Sequence, residues 1–260
     1  MVEQWGCLDL NDKLVSRLGR VVQEGPFAGA VLGPMAMSEH LGPYLLGVYE
    51  SELDRAWSVV MEGAYPQILD IGAKFGYYAV GLARRFPAAN VIAFDTDWWA
   101  RRAVREMANA NRVMNVQVRG FCDSSWLRRN LRAGAFLLSD CEGYEGELLA
   151  AEDVPHLRTA TLIVETHEEL VPGVKGRIME RLRGSHAVHA VDSGADRRAS
   201  SRELGFISEK ERRLANQEVR NPQTWLLCLP QDGPNASLQA RAAALFHPAP
   251  ARSTRGEREA

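Results

Sequence analysis

Three acids and a histidine follow two short apolar runs closely enough to share a site. Residues 135–138 (AFLL) lead into Ser139-Asp140-Cys141-Glu142-Gly143-Tyr144-Glu145, and residues 160–164 lead into Glu165-Thr166-His167. If each run is a strand, alternate residues share a face, so Asp140 with Glu142 and Glu165 with His167 project as two pairs from neighbouring strand tips. An imidazole titrating near ~6.5 takes a proton from a hydroxyl at working pH, and Glu165 or Asp140 would orient it. His167, Asp140, Glu142 and Glu165 are therefore the expected catalytic group, with His167 as base; the competing role for His167 is to cap the element that follows. The same side chains suit a hard divalent cation. Their spacing follows no firm ligand rule, so no metal ligand is assigned and a required metal is not expected.

A second constellation lies upstream. Residues 67–83, QILDIGAKFGYYAVGLA, read as a buried strand, a glycine turn and the first turns of a helix. The frame Asp70-x-Gly72-x-x-x-Gly76 is not the Gly-x-Gly-x-x-Gly that lays a pyrophosphate on a helix N-terminus. An acid at Asp70 would repel a pyrophosphate and attract an ammonium group, which favours S-adenosylmethionine over a dinucleotide. Asp70, Gly72, Ala73, Lys74 and Gly76 are the expected cofactor contacts. Residues 91–95 (VIAFD) form a second strand that ends in Asp95, where a Rossmann-type unit places the carboxylate for the ribose hydroxyls. Asp123, past the third strand, would accept the adenine amine or else cap a helix starting near Ser124. Tyr49, beside Glu50, would reach the amino-acid end of the cofactor or be structural. One of Trp98 and Trp99 would line the adenine pocket and at least one would be core.

Positioning these residues requires strands that alternate with helices. Short apolar runs near residues 68–71, 91–95, 116–118, 135–138, 160–164, 187–191 and 224–229 give seven strands, and helical spacing recurs at 77–83 and 98–110. Such alternation implies an α/β, mainly parallel sheet, with ligands beyond the carboxyl ends of its strands. The expected organisation is an N-terminal helical cover over residues 1–62, a Rossmann-like domain over 63–230 and a C-terminal helix with a disordered tail over 231–260. Residues 192–221 shift to a charged composition and read as an insertion over the sheet.

Composition narrows the function. Of 260 residues 46% are hydrophobic and 25% charged, with a formal net charge of -2, which argues against general nucleic-acid binding. The four cysteines include no C-x-x-C pair, which suggests neither a zinc site nor a disulfide framework. With no leader pattern and no apolar run near ~20 residues, the expectation is a cytoplasmic chain that meets no membrane. His40, His156, His186, His189 and His247 stand apart from the clusters and are expected to be structural or surface residues.

The stretches LDIGAKFGYYAVGLA, AFDTD, SDCEGYEGELL and LIVETHE together resemble the FkbM-type class I S-adenosylmethionine-dependent methyltransferases, over roughly residues 46–167 and more weakly to 229. The resemblance implies a Rossmann-like class I methyltransferase fold. It also implies that the turn of Asp70, Gly72 and Gly76 holds the methionine moiety and that Asp95 holds the ribose. The family's Asp-x-Glu-Gly-x-Glu falls on Asp140, Glu142, Gly143 and Glu145. The chain departs from the common pattern with Lys74 in place of Asn and Asp95 in place of Glu. The implied activity is methyl transfer to a hydroxyl of a small molecule, natural product or glycan, and a homodimer is left open. Two other readings stand beside it: an inactive S-adenosylmethionine-binding sensor or scaffold, and an NAD-dependent oxidoreductase, which the missing Gly-x-Gly-x-x-Gly disfavours.

Overall fold

The structure, a computed structural model, describes residues 2–36, 41–149, 154–194, 197–218 and 221–247. His40 and the expected disordered tail from 248 onward lie outside the described residues.

Seven strands form one sheet in the order β3-β2-β1-β4-β5-β7-β6, where β1 is Gln67–Ile71, β2 Asn90–Phe94, β3 Val116–Arg119, β4 Phe136–Ser139, β5 Thr161–Thr166, β6 His186–Asp192 and β7 Thr224–Pro230. The pairs among β3, β2, β1, β4 and β5 are parallel, whereas β7 inserts between β5 and β6 and runs antiparallel to both. The mainly parallel seven-stranded sheet expected from the sequence is present.

Period-two alternation divides the core between the two faces of the sheet. Leu69, Ile71, Ile92, Leu137, Leu162 and Val164 face one layer, while Ile68, Val91, Ala93, Phe136, Leu138 and Ile163 face the other. Burial on both faces explains why these strands read as near-continuous apolar runs.

Helices cover both layers. From the N-terminus they are α1 (Val2–Leu18), α2 (Leu41–Leu46), α3 (Asp54–Val60), α4 (Tyr77–Arg85), α5 (Trp98–Ala110), α6 (Ser124–Asn130), α7 (Glu145–Leu148), α8 (Val174–Leu182), α9 (Glu209–Ala215) and α10 (Leu238–Phe246). Local chemistry sets their starts. Asp97 accepts from the Trp99 amide at 2.9 Å to open α5, Asp123 accepts from the Trp126 amide at 2.6 Å to open α6, and Ser208 with Glu211 forms a reciprocal capping box at α9.

Two features depart from the sequence reading. Trp98 and Trp99 are 52% and 60% exposed and pack edge to face on each other, so neither is core. At the first turn of α5 the side chains point outward, and the buried face of that helix belongs instead to Ala103, Val104, Met107 and Ala108. The insertion between β6 and β7 is also anchored on the N-terminal segment, through Arg198. Its guanidinium donates to Glu24 at 2.9 Å, to Asp54 at 2.6 Å and to the Gly47 carbonyl at 2.8 Å.

Candidate active site

The parallel register sets the centre of the site. Ile71 pairs with Ser139, so the residues leaving β1 and β4 meet side by side, and the Asp140 amide donates to the Ile71 carbonyl at 2.9 Å. Gly72 has φ +91°, and a Cβ built on it would lie 1.6 Å from the Asp140 carbonyl oxygen. No side chain fits that crossing. The glycine is thus required by the contact of two strand tips, whatever binds in front of them. Gly76, also at φ +91°, ends the turn at the N-terminus of α4.

The turn is held to β2 by Asp95. One carboxylate oxygen accepts from the Lys74 amide at 2.8 Å and the other from the Asp97 amide at 2.8 Å. Each oxygen keeps a further lone pair, since an ionised carboxylate offers about four acceptor sites. The Lys74 ammonium leans the other way, toward the Tyr44 hydroxyl at 3.3 Å.

A cleft of about 650 Å³ opens beyond these strand ends. Gly72, Lys74 and Asp95 line one part of it and Asp140, Glu142, Glu165 and His167 another, with Tyr44, Tyr49 and Glu50 from the N-terminal segment and Glu218, Asn221 and Gln223 from the insertion. Tyr49 stacks on Tyr44 with ring centroids 3.8 Å apart. Among the described residues of the lining, seven are acids and Lys74 is the one lysine or arginine.

At the strand-tip end, Glu145 is fully buried and accepts from the Cys141 amide at 3.1 Å, the Gly143 amide at 3.3 Å and His167 Nδ1 at 2.8 Å. Around Nε2 stand Asp140 Oδ1 at 3.6 Å, Glu142 Oε2 at 3.5 Å and Glu165 Oε2 at 3.6 Å. Burial pushes the His167 pKa down, but the Glu145 hydrogen bond and the charges of Glu145, Asp140 and Glu142 outweigh it and hold the group above its ordinary value. Burial likewise opposes ionisation of Glu145, yet the contact with His167 and the two loop amides leaves its pKa below the ordinary value. The pair is a carboxylate and an imidazole whose ring is fixed in orientation, with Nε2 turned into the cleft.

The expected residues therefore separate into two groups. Tyr49, Gly72, Lys74, Asp95, Asp140, Glu142, Glu165 and His167 line one cleft. Asp70, Ala73, Gly76 and Asp123 do not. Asp70 lies buried behind the turn, where burial and the nearby Asp140 and Asp95 charges lift its carboxyl to about 7 against the pull of the Ala79 amide. Ala73 is buried within the turn, Gly76 starts α4, and Asp123 spends its carboxylate on capping α6. Neither Trp98 nor Trp99 reaches the cleft, whereas Phe121, packed on Tyr144, does.

Two further residues stand out, Glu145 from the signature stretch and Glu50, which the sequence paired with Tyr49 at the amino-acid end of the cofactor. Glu145 sits within the Asp-x-Glu-Gly-x-Glu stretch, and its burial at the start of a helix gives no signal in a linear pattern. Glu50 is buried at φ +49°, accepts from the Tyr78 hydroxyl and donates its amide to Glu218 at 2.8 Å. Backbone strain marks the same place. Glu50, Lys74 and Glu142, three of the four non-glycine residues with positive φ among the described residues, all line this cleft.

No protein-family model matches the chain, and no curated protein matches it. Among solved structures it is similar to the precorrin-6y C5,15-methyltransferase of Geobacter metallireducens, at 13% identity and TM-score 0.47 over 67% of this chain and 86% of that one. It is also similar to the O-methyltransferase TomG of Streptomyces achromogenes, involved in tomaymycin synthesis and crystallised with S-adenosylmethionine, at 18% identity and TM-score 0.44 over 75% and 82%. A third is the ribosomal protein L11 methylase of Lactobacillus delbrueckii subsp. bulgaricus, at 12% identity and TM-score 0.45 over 69% and 78%. Likenesses this distant carry no conclusion about the chain. Its own sheet order, with one antiparallel strand and helices on both faces, is that of a mixed α/β, Rossmann-like fold.

Proposed function

We propose that the chain is an S-adenosylmethionine-dependent methyltransferase acting on a hydroxyl of a small molecule or glycan, of the FkbM-type that its sequence resembles. The observation that carries this reading is one cleft with two chemically distinct ends. At one end the glycine turn brings Asp95, Lys74 and Gly72 together, and at the other a buried imidazole directs Nε2 among carboxylates.

Asp95 would hold the ribose of the cofactor, its remaining lone pairs accepting hydrogen bonds from the hydroxyls. Lys74 would pair with the methionine carboxylate, and the acids of the cleft would face the ammonium and sulfonium. Tyr49 and Tyr44 wall the methionine end. The acceptor occupies the end near His167. When bound, S-adenosylmethionine would supply an electrophilic methyl that the acceptor oxygen would take by in-line displacement, with the sulfur keeping the S–CH₃ bonding pair and leaving as the neutral thioether S-adenosylhomocysteine. The hydroxyl proton passes to the strand-tip cluster, where His167 is the group with a ring nitrogen directed at the acceptor.

This chemistry requires mainly alignment and proton removal, since the methyl leaves a sulfur that is already positive. The missing Gly-x-Gly-x-x-Gly disfavours the dinucleotide reading. Mass spectrometry of the protein as purified, for bound S-adenosylmethionine or S-adenosylhomocysteine, followed by labelled-methyl screening of extracts, tests the proposal. Cofactor binding with no turnover on any acceptor would favour the sensor or scaffold reading instead. Once an acceptor is found, His167→Ala should lower turnover by ~10²- to 10⁴-fold, the usual contribution of positioned proton transfer, and remove an ionisation from the pH-rate profile. Wild-type rate and pH dependence in that variant would dismiss His167 and leave methyl transfer standing.

A further inference from the structure

The geometry of the strand-tip cluster points beyond proton transfer. Glu145 is buried, and its contacting oxygen already accepts from two backbone amides. An ionised carboxylate only accepts, so the 2.8 Å contact makes His167 Nδ1 the donor and leaves the Nε2 lone pair pointing away from Glu145. That lone pair faces three carboxylate oxygens at 3.5 to 3.6 Å, all beyond hydrogen-bonding distance. A neutral ring would set a lone pair against three anions.

The atoms are arranged as a ligand set would be. One donor atom each from Asp140, Glu165 and His167 lies within 4.8 Å of the others. Two ligands bound about 2.1 to 2.2 Å from one ion lie roughly 3.0 to 3.7 Å apart for angles between a right angle and 120°. The measured separations from Nε2 fall in that span. His167 is 2% exposed, with Nε2 aimed into the cluster, and the Asp140 Oδ1 atom that faces it is buried without a hydrogen-bond partner. The contact from Nδ1 to Glu145 is the outer carboxylate that a metal-bound histidine ordinarily has, fixing the tautomer and the ring plane.

We propose that Asp140, Glu165 and His167 bind a divalent cation at the acceptor end of the cleft, with Glu142 able to close on it from the exposed side. Two carboxylates and an imidazole favour an ion of the Mn²⁺ kind over Mg²⁺, which prefers oxygen ligands alone. A bound ion would offer an open position to an acceptor oxygen and make its hydroxyl more acidic, and the proton would pass to the exposed Glu142 carboxylate and on to solvent, in place of the route through His167. His167 then serves as a ligand, and Glu145 as the residue that positions it. The binding claim does not depend on methyl transfer, whereas the use of the ion does rest on that reading.

The test is a Mn²⁺ titration of the full chain, stripped with a chelator and free of cofactor, followed by the loss of the aqueous Mn²⁺ electron paramagnetic resonance signal. One equivalent should bind, with a dissociation constant on the order of 10 µM or tighter. Asp140→Asn and His167→Gln should each weaken binding by at least ~10-fold, and Glu145→Gln by about 10- to 100-fold. Glu211→Gln, a surface acid paired with Lys13, should leave it unchanged. Circular dichroism of each variant separates loss of binding from loss of fold. Wild-type binding weaker than about 1 mM, or binding that folded Asp140→Asn and His167→Gln retain in full, would overturn the proposal. Calorimetry with S-adenosylmethionine on the same stripped protein separates the two readings: Mn²⁺ bound without cofactor affinity defeats methyl transfer alone, and cofactor bound without Mn²⁺ defeats the cation site alone.

Discussion

At the scale of single residues, Asp95 and Asp70 show how two acids near one turn come to do different work. Asp95 stays at the cleft, bonded to two amides through single lone pairs, and keeps acceptor capacity for ribose. Asp95→Ala should therefore cost roughly 1.5 to 3 kcal/mol of cofactor binding, or about one to two decades in affinity by calorimetry; unchanged affinity would reject the assignment. Asp70 is buried, with one oxygen lacking a partner, and its carboxyl sits at about 7 against 3.8 for the ordinary group. Between those values the folded chain holds a proton that the unfolded chain has released. The contribution of this group to stability is thus complete at low pH, falls as pH rises through about 4 to 7, and is level above. Asp70→Asn removes that dependence. Chemical denaturation should find the variant more stable than wild type at about pH 8, by an amount on the order of a few kcal/mol, with the gap closing toward about pH 4. A constant gap across that range would contradict the burial argument. The acidic frame was readable in the sequence, but which acid faces the ligand depends on which side of the turn the chain leaves β1, and residue spacing does not carry that.

At the scale of elements, the crossing of β1 and β4 governs the site. A side chain at Gly72 would meet the fold before it met any ligand. The Asp140 carbonyl 1.6 Å from a Cβ at that position makes the cost structural. Gly72→Ala must push the two strand tips apart and also adopt φ +91°, a region that disfavours residues with a Cβ. A loss of about 3 kcal/mol or more is expected, which for a chain of this size lowers the melting temperature by roughly 6 to 12 °C. A melting temperature equal to wild type would show that the tips are not in contact. All seven strands could be placed from apolar runs, because strands buried on both faces carry a strong signal. The insertion of β7 between β5 and β6 could not, since pairing partners and direction are properties of the assembled sheet. The strand-tip cluster was legible as two pairs. Glu145 was not, because its importance comes from the turn at Cys141–Gly143 folding back over it and from a contact 22 residues away in sequence.

At the scale of the whole molecule, the cleft is closed by segments distant in sequence. The N-terminal segment supplies Tyr44, Tyr49 and Glu50, the insertion supplies Glu218, Asn221 and Gln223, and Arg198 ties one to the other. Those parts show mixed charge and little periodicity, so the sequence marked them as a cover without saying what they hold. Arg198→Ala leaves Glu24 and Asp54 without their guanidinium and should loosen the insertion while sparing the sheet. Hydrogen exchange should rise over residues 197–218 and stay unchanged in β1 and β4; equal protection in both regions would show that the clamp contributes nothing. No helix among the described residues is long and apolar enough to cross a membrane. The whole arrangement, a glycine turn on Asp95 facing a carboxylate-bound imidazole across one cleft, has its meaning in the cofactor that joins the two ends. Isothermal titration of the purified, cofactor-stripped chain with S-adenosylmethionine tests this most directly. One site with a dissociation constant on the order of 1 to 100 µM, weakened by about one to two decades in Asp95→Ala, is the expected result. No binding to the folded wild-type chain at millimolar cofactor, or equal binding by the variant, would contradict it.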